Sequence, residues 1–217
     1  SEDNYWIGGY DGPKRYLIPD KVTEMASRLP EDSLYILDIE RWYVDDVLTN
    51  IDIIGYSAST SADPKWNAAI EDLASTIEQF RDLVKAECPG ARIGYYYFPP
   101  FRELYQPINY GTYLANGVPD ATARNLAGRN TWAAANDAYT PILEFLDVLC
   151  PSLYRFFVDT PEYYIQYNLS EALRIGGGKP LYPFLWSQYH NAAEPPEIRL
   201  QNMSMANWEQ DIRWCRD

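Results

Sequence analysis

Residues 33–42 read Ser-Leu-Tyr-Ile-Leu-Asp-Ile-Glu-Arg-Trp, a short hydrophobic run that ends in two carboxylates two residues apart. The run predicts a β-strand, and residues i and i+2 of a strand point to the same face, so Asp38 and Glu40 project together. At the end of a strand in a parallel α/β fold, such side chains lie where substrates bind. The alternative is a strand end whose acids face solvent or cap the next loop.

Short apolar runs alternate with helical patterns along the chain, which is typical of βαβ units and a mostly parallel sheet. The predicted strands are Tyr5 to Tyr10, Leu34 to Asp38, Arg92 to Phe98, Leu146 to Tyr154 and Pro180 to Trp186. The predicted class is therefore α/β. Five strands are too few for a closed eight-stranded barrel, and the last predicted helix has no strand after it.

Proline and glycine mark the ends of the predicted helices. Asp63-Pro64 opens the clearest helix, because proline favours the first helical position, and Pro89-Gly90 stops it. Four other helices are predicted. The first is capped by Asp20 and ended by Pro30, and the second runs from Trp132 toward Phe145 with an interruption near Pro141. The third runs from Pro161 to the glycines at 176–178, and the fourth is capped by Ser204 and carries Trp208, Ile212 and Cys215.

The stretch from Pro99 to about Arg129 has little periodicity and many Pro, Tyr, Asn and Gly residues. It follows the carboxyl end of a predicted strand, and long loops in compact domains are often lids or binding loops. We expect either a binding loop here or a surface excursion with no role.

Composition limits the kind of partner. The formal net charge of −13 opposes binding to nucleic acid, which depends on Lys and Arg, and disfavours polyanions and anionic membrane surfaces. An aromatic fraction of 15%, with 19 Tyr and 7 Trp, suits stacking on sugar rings. A neutral substrate fits this composition, although a core rich in aromatic residues accounts for part of it.

Metal ions, cofactors and disulfides have little support in the sequence. One histidine makes a His-based metal site unexpected, and the three cysteines form no zinc-binding spacing or disulfide framework. We predict no cofactor and no membrane-spanning segment. The residues at the start are not a signal peptide, so an extracellular location requires that a leader was removed, while few cysteines leave an intracellular location open.

The ends of the predicted strands collect acidic and aromatic side chains. They are Tyr10 and Asp11; Asp38, Glu40 and Trp42; Tyr96 and Tyr97; Tyr154 and Arg155; and Trp186, Tyr189 and His190. The carboxyl ends of parallel strands share one face of a sheet or barrel. A carboxylate pair walled by aromatic rings is the composition of a glycan-cleaving site.

The order of these motifs resembles the hyaluronidase family of glycoside hydrolases, family 56. The similarity is carried, from about Ile7 onward, by Tyr10-Asp11, Asp38-Ile39-Glu40-Arg41-Trp42, Gly94-Tyr95-Tyr96-Tyr97-Phe98-Pro99, Pro151-Ser152-Leu153-Tyr154, Glu171-Ala172-Leu173-Arg174-Ile175 and Pro180-Leu181-Tyr182-Pro183-Phe184-Leu185-Trp186. Leu37-Asp38-Ile39-Glu40 is also similar to the catalytic motif of family 18 chitinases and endo-N-acetylglucosaminidases. The resemblance implies a TIM-barrel-like (β/α) domain over residues 1–217 that acts on an oligosaccharide or polysaccharide.

The resemblance also implies roles for individual residues. Glu40 matches the general acid that protonates the glycosidic oxygen, and Asp38 matches the residue that orients the substrate's acetamido group in a retaining mechanism. Tyr96 and Tyr154 match tyrosines that hydrogen-bond the reacting sugar, and Tyr10 matches another substrate contact. We expect the remaining strand-end residues, Asp11, Trp42, Tyr97, Arg155, Trp186, Tyr189 and His190, to contact substrate, and the carboxylate pair to raise the pKa of one of its members.

The chain also departs from the family pattern. The family's disulfide cysteines, first strand and last strand are missing, and the acidic charge conflicts with hyaluronan, a polyanion. Either the barrel is incomplete, or the rest was cut away, or another chain supplies it. The alternatives to a glycosidase of neutral, N-acetylhexosamine-containing glycans are a non-catalytic carbohydrate-binding or structural protein and a site where Asp38 and Glu40 hold a divalent cation.

Overall fold

The computed structural model describes residues 6–7, 16–39, 43–44, 51–52, 64–97, 105–158 and 161–216. These residues form a mixed α/β fold. The strands are β1 (Trp6–Ile7), β2 (Tyr16–Leu17), β3 (Leu34–Leu37), β4 (Tyr43–Val44), β5 (Ile51–Asp52), β6 (Arg92–Tyr97) and β7 (Cys150–Pro151). The helices are α1 (Pro19–Ala26), α2 (Pro64–Glu87), α3 (Tyr105–Ala115), α4 (Asp120–Leu126), α5 (Arg129–Asp137), α6 (Thr140–Leu143), α7 (Pro161–Gly176) and α8 (Met205–Arg216).

The chain divides into two compact units. The first, unit 1, comprises residues 1–96 and 135–148, and the second, unit 2, comprises residues 97–134 and 149–217. The prediction of one domain over 1–217 stays a prediction. In the part of the chain that the structure describes, no helix has the length and apolarity needed to cross a membrane.

The centre of unit 1 is the parallel pair of β3 and β6. The sequence predicted both strands and a mostly parallel sheet. Leu34 lies opposite Arg92 and Leu37 opposite Tyr95. The pair packs against α2, where the ring of Tyr35 meets that of Phe80 edge-on at 6.5 Å between centroids. The predicted helix at Pro64 is thus confirmed, because its apolar stripe covers one face of the strand pair.

The carboxylate of Asp147 links three segments of unit 1. The Asp147 carboxylate accepts hydrogen bonds from the backbone N–H of Ile93, at 2.9 Å, and from Lys85 Nζ, at 3.0 Å. The backbone N–H groups of Asp147 and Val148 both donate to the carbonyl of Ile93. This residue therefore ties the segment after α6 to strand β6 and helix α2.

Two expectations for unit 1 need correction. Asp20 is not the N-cap of α1, since the helix begins at Pro19 with Ile18 as its N-cap, which leaves Asp20 inside the first turn. The predicted first strand appears as β1, which pairs antiparallel with β2, and β4 pairs antiparallel with β5. The described strands are therefore a mixture of parallel and antiparallel pairs, and they do not close into a barrel.

Unit 2 contains a second parallel ladder. Strand β7 and its neighbours run beside residues 180–184, with bridges from Leu149 to Leu181 and from Ser152 to Phe184. The amide of Tyr182 donates to Leu149 and that of Leu153 to Phe184. Of the two strands predicted in this region, Leu146 to Tyr154 appears as the two-residue strand β7. The segment Pro180 to Trp186 is not a strand and contributes only isolated bridges at Leu181 and Phe184.

The stretch predicted as a long loop contains two helices, α3 and α4. Gly111 in α3 faces Tyr163 in α7 so closely that an added Cβ would lie 2.3 Å from the ring. The prediction was wrong because Pro107 and Gly111 hide the helical pattern. The glycine that weakens the local helical signal is the residue that allows the two helices to pack.

Helices α7 and α8 have the ends that the sequence predicted. Gly177 and Gly178, with φ of 59° and 85°, turn the chain away after α7. The Ser204 hydroxyl accepts a 3.2 Å hydrogen bond from the amide of Asn207, which makes Ser204 the N-cap of α8. Both predicted helices are confirmed.

Candidate functional site

Asp38 and Tyr96 lie together at the carboxyl ends of β3 and β6. Continuing the register by one residue beyond the Leu37–Tyr95 pair puts Asp38 beside Tyr96. Asp38 is exposed and Tyr96 is half-buried, whereas Leu37 and Ile39 are each 1% exposed. Because side chains alternate along a strand, Asp38 and Tyr96 share the face opposite to the one that packs on α2. The structure thus brings two of the predicted site residues of unit 1 together.

The backbone between the two predicted acids is fixed from the buried side. The Tyr95 hydroxyl donates a 2.6 Å hydrogen bond to the carbonyl of Ile39. Ile39 is the middle residue of Asp38-Ile39-Glu40, and Tyr95 is 1% exposed. This bond holds the end of β3 in the extended conformation that places Asp38 on the outer face.

Several predicted residues cannot be placed in this geometry. Tyr10, Asp11, Glu40 and Trp42 lie outside the described residues, as does the side chain of Tyr97, whose backbone ends β6. Their roles, including the expected shift in the pKa of one carboxyl group, stay predictions.

In unit 2, three predicted site residues form an aromatic cluster with a fourth residue. The ring of Tyr154 lies edge-on to the ring of Trp186, with 5.6 Å between centroids. The same ring is stacked on the imidazole of His190, with 6.2 Å between centroids. The ring of Phe156 packs on the imidazole of His190, with 4.2 Å between centroids. We call these four residues, Tyr154, Phe156, Trp186 and His190, the aromatic cluster. All except Phe156 are half-buried, so the cluster has a surface at which a ligand ring can stack.

The imidazole of His190 is oriented by the turn that follows it. The backbone N–H of Ala192 donates a 3.0 Å hydrogen bond to Nδ1 of His190. An Nδ1 atom that accepts a hydrogen bond carries no proton, so this geometry selects the neutral tautomer with its proton on Nε2. In this state the ring presents an N–H donor at Nε2.

Arg155, predicted to bind substrate, has a different partner. Its guanidinium forms a bidentate ion pair with Asp211 of α8, with Nε to Oδ2 at 2.7 Å and Nη2 to Oδ1 at 2.6 Å. The two side chains are 2% and 1% exposed. Burial raises the pKa of Asp211, while the hydrogen bonds from Arg155 oppose that rise. We therefore assign Arg155 to holding α8 and not to substrate contact.

Tyr189 also lies away from the aromatic cluster. It is 7% exposed and packs with Ala193 and Met203, against which Trp208 of α8 is placed. Its neighbour in sequence, His190, points to the cluster instead. The strand-end pattern suggested substrate contact for Tyr189, but its surroundings are those of a core residue.

Two residues of this region were not expected from the sequence. Phe156 could have been found, because it lies two residues after Tyr154 and shares its face in an extended segment. Asp211 could not, since it is separated from Arg155 by 56 residues in the sequence. Asp211 is buried on α8, whereas Ile212, which the sequence placed on the same predicted helix, is 43% exposed.

No metal or cofactor was predicted. Within the described ranges, no group of three or more His, Cys, Asp or Glu residues is arranged to hold a metal ion. Cys88, Cys150 and Cys215 are free thiols, and burial raises the pKa of Cys215 to about 11. A thiol with so high a pKa is a poor nucleophile at neutral pH.

Comparison with solved structures gives the fold a context. The chain is similar to bee venom hyaluronidase in complex with a hyaluronic acid tetramer, with 16% identity, a TM-score of 0.53, and coverage of 99% of this chain and 72% of that one. A monoclinic crystal structure of bee venom hyaluronidase gives 17% identity, a TM-score of 0.54, and coverage of 93% and 65%. The chain thus has a hyaluronidase-like fold and spans about two thirds to three quarters of the length of these neighbours. No protein-family model and no curated protein sequence matches it.

Proposed function

We propose that this protein is a glycoside hydrolase that cleaves N-acetylhexosamine-containing or other neutral glycans with retention of configuration. The observation that carries the proposal is the position of Asp38 beside Tyr96, at the carboxyl ends of two parallel strands. This is the end at which substrates bind in parallel α/β folds. The hyaluronidase-like fold supports the same reading.

In this mechanism the substrate supplies its own nucleophile. Glu40 protonates the glycosidic oxygen as the bond to the anomeric carbon breaks, and the acetamido oxygen attacks that carbon to form a cyclic intermediate. Asp38 stabilises the positive charge that develops on the acetamido nitrogen, and Tyr96 hydrogen-bonds the reacting sugar. Water then opens the ring, with Glu40 accepting its proton, so that the acid is restored.

The charge of the chain indicates which glycans to expect. At −13, the protein repels polyanions over distances of about a Debye length, so a neutral polymer of N-acetylhexosamine is favoured over a uronic-acid polymer. The hyaluronic acid tetramer belongs to the neighbour's structure. We propose chitin-like oligosaccharides as the first substrates to test.

A second candidate function is carbohydrate binding without cleavage. The aromatic cluster of unit 2 favours it. The ring of Tyr154 lies 5.6 Å from that of Trp186 and 6.2 Å from that of His190, between centroids, and these half-buried rings offer a stacking surface that needs no acidic residue. The two functions differ in what they require of Glu40. Binding alone does not need a proton donor.

The experiment compares Glu40→Gln with the wild-type protein on chitin oligosaccharides, chondroitin and hyaluronan, following both reducing ends and binding. The matched control is Glu31→Gln, the same change at an exposed position before strand β3. We expect Glu40→Gln to lose turnover by at least about 100-fold with binding retained, and Glu31→Gln to behave as wild type. Unchanged turnover in Glu40→Gln would exclude it as the acid, and wild-type binding without any cleavage across the panel would favour the second function.

A further inference from the structure

The backbone of residues 154–156 carries two members of the aromatic cluster and is held from two sides. On one side, the amide of His190 donates a 2.8 Å hydrogen bond to the carbonyl of Arg155, and the amide of Glu194 donates to the carbonyl of Phe156 at the same distance. These bonds join the segment to the turn that carries His190. They fix the two cluster segments relative to each other.

On the other side, the segment is anchored by the side chain of Arg155. The guanidinium of Arg155 makes its bidentate contact with Asp211, and Nη2 also reaches the carbonyl of Asn207 at 3.3 Å. All of these partners belong to α8. Because Arg155 lies between Tyr154 and Phe156 in sequence, its contacts with α8 restrain the backbone that carries both rings.

We propose that Asp211 is a positioning residue of the aromatic cluster, acting through Arg155. The ion pair fixes the segment 154–156 against α8 and thereby fixes Tyr154, Phe156 and the imidazole of His190. That the cluster binds sugar rests on the proposed function, whereas the positioning itself does not. Arg155 and Asp211 touch no substrate in this scheme.

The geometry favours positioning over simple stabilisation. A buried ion pair is weak evidence for stability, because the cost of desolvating two charges offsets much of their attraction. A bidentate Arg–carboxylate pair fixes the relative orientation of its two side chains, because the planar guanidinium and the two carboxylate oxygens meet in one arrangement. At 2% and 1% exposure, the pair has no alternative partner in water.

His190 makes the inference measurable, because it is the single histidine of the chain. One set of imidazole ¹⁵N and ¹³C signals in an NMR spectrum therefore reports on the cluster without assignment of other residues. In the wild-type protein these signals should show an unprotonated Nδ1 and a protonated Nε2, as the bond from Ala192 requires.

Two variants test the role of the pair. Asp211→Asn removes the charge and leaves the Arg155 guanidinium buried without a charged partner, so it can fail to fold. The double variant Arg155→Met with Asp211→Leu replaces the pair by apolar groups, a change that proteins often tolerate. The control is Glu171→Gln, which alters another buried carboxylate of unit 2 that forms a bidentate pair with Arg174 on its own helix.

We expect the double variant to fold cooperatively but to give shifted or multiple His190 signals. Glu171→Gln should leave the His190 signals in place. Affinity for a chitin tetrasaccharide should fall at least about tenfold in the double variant, because the rings are no longer preorganised.

A folded double variant with wild-type His190 signals would overturn the proposal, and so would equal shifts in Glu171→Gln. If the signals move as expected while the wild-type protein binds no sugar, the positioning role stands and the proposed glycosidase function fails. The two inferences are therefore separable in one set of samples.

Discussion

The hydroxyl of Tyr95 donates a 2.6 Å hydrogen bond to the carbonyl of Ile39, across the parallel pair of β3 and β6. A buried tyrosine thus holds the backbone between the two acids on which the proposed chemistry depends. The bond forms on the buried side of the strand pair, at the residue between Asp38 and Glu40.

Replacing Tyr95 by Phe should destabilise the protein by about 1–2 kcal/mol, because the carbonyl of Ile39 loses this donor in a buried setting. Urea denaturation of both proteins measures the difference. Tyr113→Phe, the same change at a half-buried tyrosine of α3, should stay within about 0.5 kcal/mol of wild type. Equal stability of Tyr95→Phe and wild type would show that the bond contributes nothing to the end of β3.

Whether a feature of this chain could be predicted depends on how far apart in the sequence the interacting residues lie. The strands β3 and β6, a mostly parallel sheet, the ends of α2 and α7 and the start of α8 were predicted, because apolar runs, proline, glycine and capping residues act locally. Asp38 and Tyr96 could be brought together because both lie at the carboxyl ends of predicted strands. No structural detail was needed for that step.

What could not be predicted depends on partners distant in sequence. Helix α3 contains Pro107 and Gly111, which oppose a helix locally, and its packing on Tyr163 becomes visible only in three dimensions. Arg155 has the polarity of a binding residue, and nothing nearby indicates that Asp211 neutralises it. Buried ionic partners are the interactions that a single sequence hides best.

Gly111→Ala tests the contact between α3 and α7. The new Cβ would lie 2.3 to 2.7 Å from three ring carbons of Tyr163, so the ring or the helix has to move. We expect a loss of about 1–3 kcal/mol, which outweighs the gain in helix propensity of about 1 kcal/mol. Thr112→Ala, at the exposed neighbouring position, is the control and should be nearly neutral. A more stable Gly111→Ala protein would mean that α3 and α7 do not approach this closely.

The raised pKa of Tyr35 leads to a prediction of how the free energy of unfolding changes at alkaline pH. Burial, and secondly the hydrogen bond to Cys88, raise the pKa of Tyr35 from 10.0 to about 12. An acid whose pKa is raised by folding stabilises the native state fully below its unfolded pKa. That contribution is lost as pH rises from the unfolded value through the folded one. The window is therefore between pH 10 and about 12.

Unfolding free energies measured across that window should fall more steeply for wild type than for Tyr35→Phe, which has no hydroxyl to ionise. The control is Tyr113→Phe, which should follow the wild-type slope. Parallel curves for wild type and Tyr35→Phe would contradict a raised pKa at this position.

The register of β3 and β6 makes a final prediction about Asp38 and Tyr96. If both act on the same reacting sugar, each single change, Asp38→Asn or Tyr96→Phe, should lower kcat on chitin oligosaccharides by about 100-fold or more with a smaller effect on KM. Neighbours that act on one transition state are not independent, so the double variant should lose less than the product of the two single losses. Asp32→Asn, an exposed acid before β3, provides the control for charge alone. Strictly multiplicative losses would argue that Asp38 and Tyr96 act at separate places, even though the strand register puts them side by side.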